Sequence, residues 1–190
     1  KKMKMRTLIS LITITLATAC FSPVTLADIT GTTSVQATFT STIEAGTCTA
    51  QIQSAGGQAI STLAFGDVFK SDLVAQSRSE AFKIAFIDCV GVKSASIQAT
   101  SGSGGACSGP NSDGDSFSAG NATGFEIWKG EAGAGTLLSC NTKPAQNITI
   151  SDTDVDVEMN ARIVIAKTRT ISDVTAGNVS APGTFLVTYQ

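Results

Sequence analysis

The 190-residue chain contains no histidine, one tryptophan, one tyrosine and four prolines, and only 15% of it is charged. Without histidine there can be no Ser-His-Asp triad and no Cys-His pair, and most zinc sites are excluded as well. A shortage of basic residues and a net charge of −2 exclude the basic footprint of a nucleic-acid binder. Runs rich in Leu, Glu, Lys and Arg are missing too, so a helix bundle is not expected. What remains is 42% hydrophobic, with 18 glycines and abundant Ser and Thr. That composition favours strands and turns around a sizeable core, and it is too apolar for disorder.

The one long apolar run lies at the start. "KKMKMR" is basic, "TLISLITITLATAC" is apolar but short for a membrane span, and "TLA" offers a cleavage site after Ala27. Residues 1–27 therefore read as a secretory signal peptide. Lipoprotein processing at Cys20 is disfavoured, because "ATAC" places Ala where such sites prefer Leu. Removing the signal takes away Lys1, Lys2, Lys4 and Arg6 and leaves nine bases against 15 acids, net −6. Four cysteines then remain: Cys48, Cys89, Cys107 and Cys140. An even number in an exported chain reads as two disulfides, with three connectivities open. No Cys-x-x-Cys pair supports a metal centre.

Period-two alternation recurs along the rest of the chain. Ile29, Gly31, Thr33, Val35, Ala37 and Phe39 share one face of the first segment, which is expected to continue as a strand through Ile43. "AISTLAFGDVF", "SEAFKIAFIDCVG", "KSASIQATS", "FEIWKG", "GTLLSC", "QNITIS", "VDVEMNARIVIAK" and "GTFLVTYQ" read as further strands. Phe185, Val187 and Tyr189 share one face of the last of these, against Thr184, Leu186 and Thr188. With eight or nine short strands, no helix and no repeat, the chain reads as all-β, an antiparallel sandwich of the immunoglobulin-like kind. "SGSGGACSGPNSDGDSFSAGNATG" is instead a long surface loop.

Chemistry-bearing motifs are few. "GSGGACSG" lacks the Lys-Ser/Thr ending of a phosphate-cradling loop. Asp152, Asp154, Asp156 and Glu158 alternate along "SDTDVDVE", which reads as a solvated acidic face rather than a calcium site. In "NSDGDS", Ala122 falls where a calcium loop needs its bidentate Glu. A sugar-binding surface would need several aromatic rings, and Trp128 reads as sheet packing. Neither an enzymatic role nor a cofactor nor a metal is expected.

Both ends of the chain beyond the signal alternate, and neither is blunted by charge or proline: residues 29–43 and 183–190 contain none. These features resemble those of a subunit of chaperone–usher fimbriae, the type 1 and P pilus kind. The resemblance rests on an alternating arm after a signal, on Phe39 nine residues before Cys48 in "FTSTIEAGTC", on Cys89 in "AFIDCVG" 41 residues later, and on Gly183 and the penultimate Tyr189 in "GTFLVTYQ". It covers nearly all of the chain after the signal.

Such a resemblance implies an incomplete immunoglobulin-like β-sandwich that lacks its seventh strand. Residues 28–38 would be a donor-strand extension and 39–190 the pilin domain, exported through the periplasm to a fimbrium on the cell surface. Ile29, Gly31, Thr33, Val35 and Ala37 would enter a neighbouring subunit's groove. Phe185, Val187 and Tyr189 would line the groove edge that first a periplasmic chaperone and then, at an outer-membrane usher, the next subunit engages. The family's disulfide maps onto Cys48–Cys89. Cys107 and Cys140 depart from the pattern, and if they pair they pin the glycine-rich loop to the strand ending "LLSC". A host receptor would be met only through the assembled fibre. The alternative is a self-contained secreted sandwich that binds sugar or a host protein.

Overall fold

A computed structural model describes residues 38–190, and its compact unit is Thr42–Gln190. The chain runs β1 (Thr47–Ser54), α1 (Lys70–Ala75), β2 (Ser79–Val90), β3 (Ser94–Ser101), β4 (Phe117–Gly120), β5 (Thr123–Lys129), β6 (Thr136–Leu137), β7 (Gln146–Thr149), β8 (Val155–Ile165) and β9 (Gly183–Tyr189). Two antiparallel sheets result. One has the order β1-β2-β8-β5-β4, with β6 paired to β5, and the other has the order β7-β3-β9.

Alternation explains which faces meet. Phe82, Ile84 and Phe86 of β2 point inward and are buried, as are Val157, Met159, Ala161 and Ile163 of β8. Register sets Phe82 beside Met159 and Ile84 beside Val157, so the inner rows of the two strands form one apolar surface. Ala95, Ile97 and Ala99 of β3, each 1% exposed, supply the facing layer. On the outer face Lys83 reaches Asp156 at 3.1 Å and Glu158 at 3.2 Å. Their carboxylates, Asp156 foremost, hold the Lys83 ammonium above its ordinary pKa. Asp154 accepts the N–H of Asp88 at 3.1 Å. The acidic run is thus tied to its neighbours at three of its four positions.

Two strand expectations are corrected, and so is the expectation of no helix. No strand occupies Thr42–Gly46; β1 starts at Thr47, and Ile43 is 97% exposed. Gly46 marks the reason: a Cβ there would lie 2.6 Å from the carbonyl carbon of Gly91, so the chain passes backbone against backbone. "AISTLAFGDVF" forms no strand either. Only Ala59 bridges to Gln53, and the segment's apolar residues act as a plug, with Phe65 buried 4.9 Å from the Phe125 ring. Arg78 donates to the Phe65 carbonyl, which satisfies that group without a ladder. The plug leads into α1, a six-residue helix with no periodic pattern long enough to announce it. Phe69 N–H is accepted by Asp72 at 2.9 Å, and the helix ends on Gln76 in the left-handed conformation at φ 51°.

Cys48–Cys89 staples β1 to β2, and Cys107–Cys140 ties the glycine-rich loop to the segment after β6. Trp128 is half-buried on β5. Its N–H meets Glu126 at 3.1 Å, and Arg162 lies 5.4 Å from its ring while pairing with Glu126 at 2.7 Å.

Candidate functional site

β9 pairs with β3 on one side, from Ala95 opposite Tyr189 to Ser101 opposite Gly183. Gln190 donates to the Ser94 carbonyl and accepts from the Ser94 N–H. By the two-residue period, Thr188, Leu186 and Thr184 also turn their backbone groups toward β3. Tyr189, Val187, Phe185 and Gly183 therefore turn theirs the other way. Among the described residues no strand pairs with that side.

The same period decides the side chains. Phe185, Val187 and Tyr189 point into the sandwich but are only half-buried, whereas Thr184, Leu186 and Thr188 face solvent. Across the interior the Phe185 ring lies 6.0 Å from Phe82, and Tyr189 stands edge-on to Phe86 at 6.2 Å. Ile52 on β1, the edge of the opposite sheet, is likewise half-buried against this core. Phe82 and Phe86, 4% and 0% exposed, thus lie beneath the β9 row, with Ile52 half-buried at the edge of the opposite sheet; the line between Ile52 and β9 is the candidate channel. Phe82 and Phe86 alternate with Lys83 and Ala85 and were legible as one face of a strand, but nothing local told that they lie beneath an unpaired edge. Ile29, Gly31, Thr33, Val35 and Ala37 lie outside the described residues.

Four sheet edges exist among the described residues, and they are not equivalent. The far half of β1 is capped: Ile60 N–H donates to Ile52 O at 2.9 Å and Ser54 N–H to Gln58 O at 2.8 Å. β4 is covered by Ala106, Ser108 and Ser180. β7 is four residues long and follows Lys143 and Pro144. β9 has seven residues with neither charge nor proline, the very features that normally blunt an edge.

Two clefts lie elsewhere. One of about 520 Å³ is lined by residues including Leu73, Asp115, Glu126, Lys167 and Ile171; the other, about 400 Å³, includes Asn121, Arg169 and Asp173. Their carboxylates are engaged locally: Glu126 by Arg162, Asp115 by the Ser139 hydroxyl at 2.6 Å, and Asp173 by Thr170. Among the described residues no group of three or more His, Cys, Asp or Glu side chains could hold a metal ion.

Tyr189, the chain's only tyrosine, reports on the channel. Partial burial pushes its phenol above the ordinary 10.0 by penalising the phenolate. The folded-state value is the higher one, so the associated stability is present below pH 10 and is lost as pH rises through the raised value. An absorbance titration should place the native midpoint above that of the urea-unfolded chain, and covering the β9 edge should raise it further. A native midpoint at or below the unfolded one would contradict this.

No protein-family model matches the chain. An uncharacterised fimbrial-like protein, YadL of Escherichia coli strain K12, is 37% identical over 192 residues, covering 93% of each chain. Among solved structures, the P pilus rod subunit PapA superposes with a TM-score of 0.51 at 21% identity, covering 75% of this chain and 99% of that one. A chaperone–usher pilus structure concerned with rod uncoiling matches with a TM-score of 0.52 at 20% identity, over 83% of this chain and 96% of the other.

Proposed function

The chain belongs to the fimbrial-like protein family, and on that premise we propose that it is a structural subunit of a surface fimbrium that accepts a foreign β-strand along β9. The observation that carries this reading is the uncharged, proline-free edge whose inner row, Phe185, Val187 and Tyr189, is only half-buried over Phe82 and Phe86. An edge of this kind is a template for β-strand addition.

In this reading a periplasmic chaperone lends the first strand. At the outer-membrane usher it is replaced by residues 28–38 of the next subunit. Ile29, Gly31, Thr33, Val35 and Ala37 share one face of that arm and enter the channel. Burying Ile29 and Val35 contributes about 1.5–3 kcal/mol each. The outward N–H and C=O groups of Gly183, Phe185, Val187 and Tyr189 allow about eight ladder hydrogen bonds, each worth roughly 1 kcal/mol net. Thr33 and Ala37 are small, so this donor binds less tightly than one bearing larger side chains. The role assigned to the chain is mechanical, not catalytic: it holds a fibre together by completing its neighbour's fold and having its own completed.

Periplasmic production tests the proposal. Without a chaperone that binds such subunits, the chain should aggregate or be degraded; with one, it should be recovered as a one-to-one complex. Accumulation of a stable soluble monomer in the absence of any chaperone would instead identify a self-contained sandwich and overturn the proposal.

A further inference from the structure

A chain that polymerises through one edge must keep its other edges from competing, and β4 is the one most exposed to that hazard. It borders the larger sheet, carries Phe117, and is followed directly by the strand-forming run "TGFEIWK" of β5. Outward backbone groups along this strand and at Ser116 just before it are nevertheless met by returning loops. Ser118 N–H donates to Ala106 O at 2.9 Å, Ser116 O accepts from Ser108 N–H at 2.8 Å, and Ala119 O accepts from Ser180 N–H at 3.1 Å. Cys107 bridges Phe117 directly. Residues 106–108 thus lie along β4 as a short guard strand.

The guard's own sequence carries no large apolar side chain to hold it there. "GSGGACSG" has four glycines, and no side chain in it is larger than that of Cys107. Glycine and serine favour neither strand nor burial. The anchor is covalent: Cys107 is bonded to Cys140, which is 0% exposed. The following residues reinforce the same seam. Cys140 N–H donates to Asp115 O at 2.8 Å, and the buried Ser116 hydroxyl meets Ser108 Oγ at 2.8 Å. Gly114 packs so tightly that a Cβ there would collide with Ser108 Oγ.

We propose that the Cys107–Cys140 disulfide is an edge guard: it clamps residues 106–108 onto β4 and so confines strand addition to β9. This rests on the strand-accepting reading of β9. The disulfide then acts on the specificity of assembly, in addition to whatever stability it adds.

The test uses the purified chain with its β9 edge saturated by a synthetic peptide of residues 28–38. Sedimentation velocity should show the native chain as a monomer and the Cys107→Ala/Cys140→Ala chain at least about tenfold richer in oligomers, with fast amide exchange at Ser118. Adding Ser118→Pro to that variant removes the outward N–H of β4 at no cost to its pairing with β5, and should restore the monomer. Oligomers that persist in the proline variant, or a cysteine-free chain that stays monomeric with Ser118 protected, would overturn the guard. If the peptide fails to bind the native chain, the reading of β9 falls instead, while Ser118 exchange and the proline rescue still decide the guard. Should the cysteine-free chain not fold, Ser108→Pro with the disulfide intact removes the N–H that Ser116 O accepts. It should release the same oligomers, and a monomer with Ser118 protected would again overturn the guard.

Discussion

Deleting residues 28–38 is expected to leave a subunit that still accepts a strand but no longer donates one. Its incorporation within fibres should fall by more than about 100-fold, since the lost interactions amount to several kcal/mol and every 1.4 kcal/mol is a factor of ten. The deletion leaves β9 and its channel untouched, so the shortened chain should still co-purify with a periplasmic chaperone and still bind a peptide of residues 28–38. Both halves can be read in one fimbriated strain: immunogold counts report incorporation, and pull-down of the periplasmic complex reports acceptance. Normal incorporation of the shortened chain would refute the donor assignment for Ile29, Gly31, Thr33, Val35 and Ala37.

Proline substitution at two adjacent positions of β9 should separate folding from acceptance. The N–H of Val187 points away from β3 and that of Leu186 toward it, because Gln190 exchanges both of its bonds with Ser94. Val187→Pro therefore keeps the β3 ladder and removes a donor from the outer edge, where its ring also obstructs an incoming strand. Affinity for the 28–38 peptide should fall on the order of 100-fold, about 2.7 kcal/mol, with little change in the denaturation midpoint of the peptide-free chain. Leu186→Pro breaks the ladder itself and should lower that midpoint markedly, because it removes an N–H that β3 accepts. Equal peptide affinity in the native and Val187→Pro chains would show that the β9 edge is not the docking line.

The glycine-rich loop adds a second level of control. The sandwich has four edges among the described residues, and the proposed function uses one. β1 is half capped by residues 58–60, β7 is short and follows Lys143 and Pro144, and β4 is closed by a strap anchored by a disulfide. The contrast between a clamped β4 and an uncharged β9 gives the Cys107–Cys140 bridge a role that loop-closure stabilisation alone does not explain.

Period-two alternation is a local property, and it carried most of the architecture. Phe82, Ile84 and Phe86, and again Phe185, Val187 and Tyr189, were readable as rows on one face without knowledge of their neighbours, because a strand turns every second residue to the same face. Missing histidine, scarce bases and four cysteines beyond the expected export signal narrowed the function for equally local reasons. The edges were a different matter. An apolar run such as "AISTLAFGDVF" can fill a sheet or plug its end, and here it plugs, with Arg78 satisfying the Phe65 carbonyl from outside any ladder. α1 was too short to carry a period. Whether β4, β1 or β9 remained available depended on where residues 106–108, 58–60 and 180 came to rest, and Cys107 found Cys140 across 33 residues. Hydrogen bonds between a strand and a returning loop form between segments far apart in sequence, so they leave no periodic trace in either segment; they exist only once the chain has folded back upon itself.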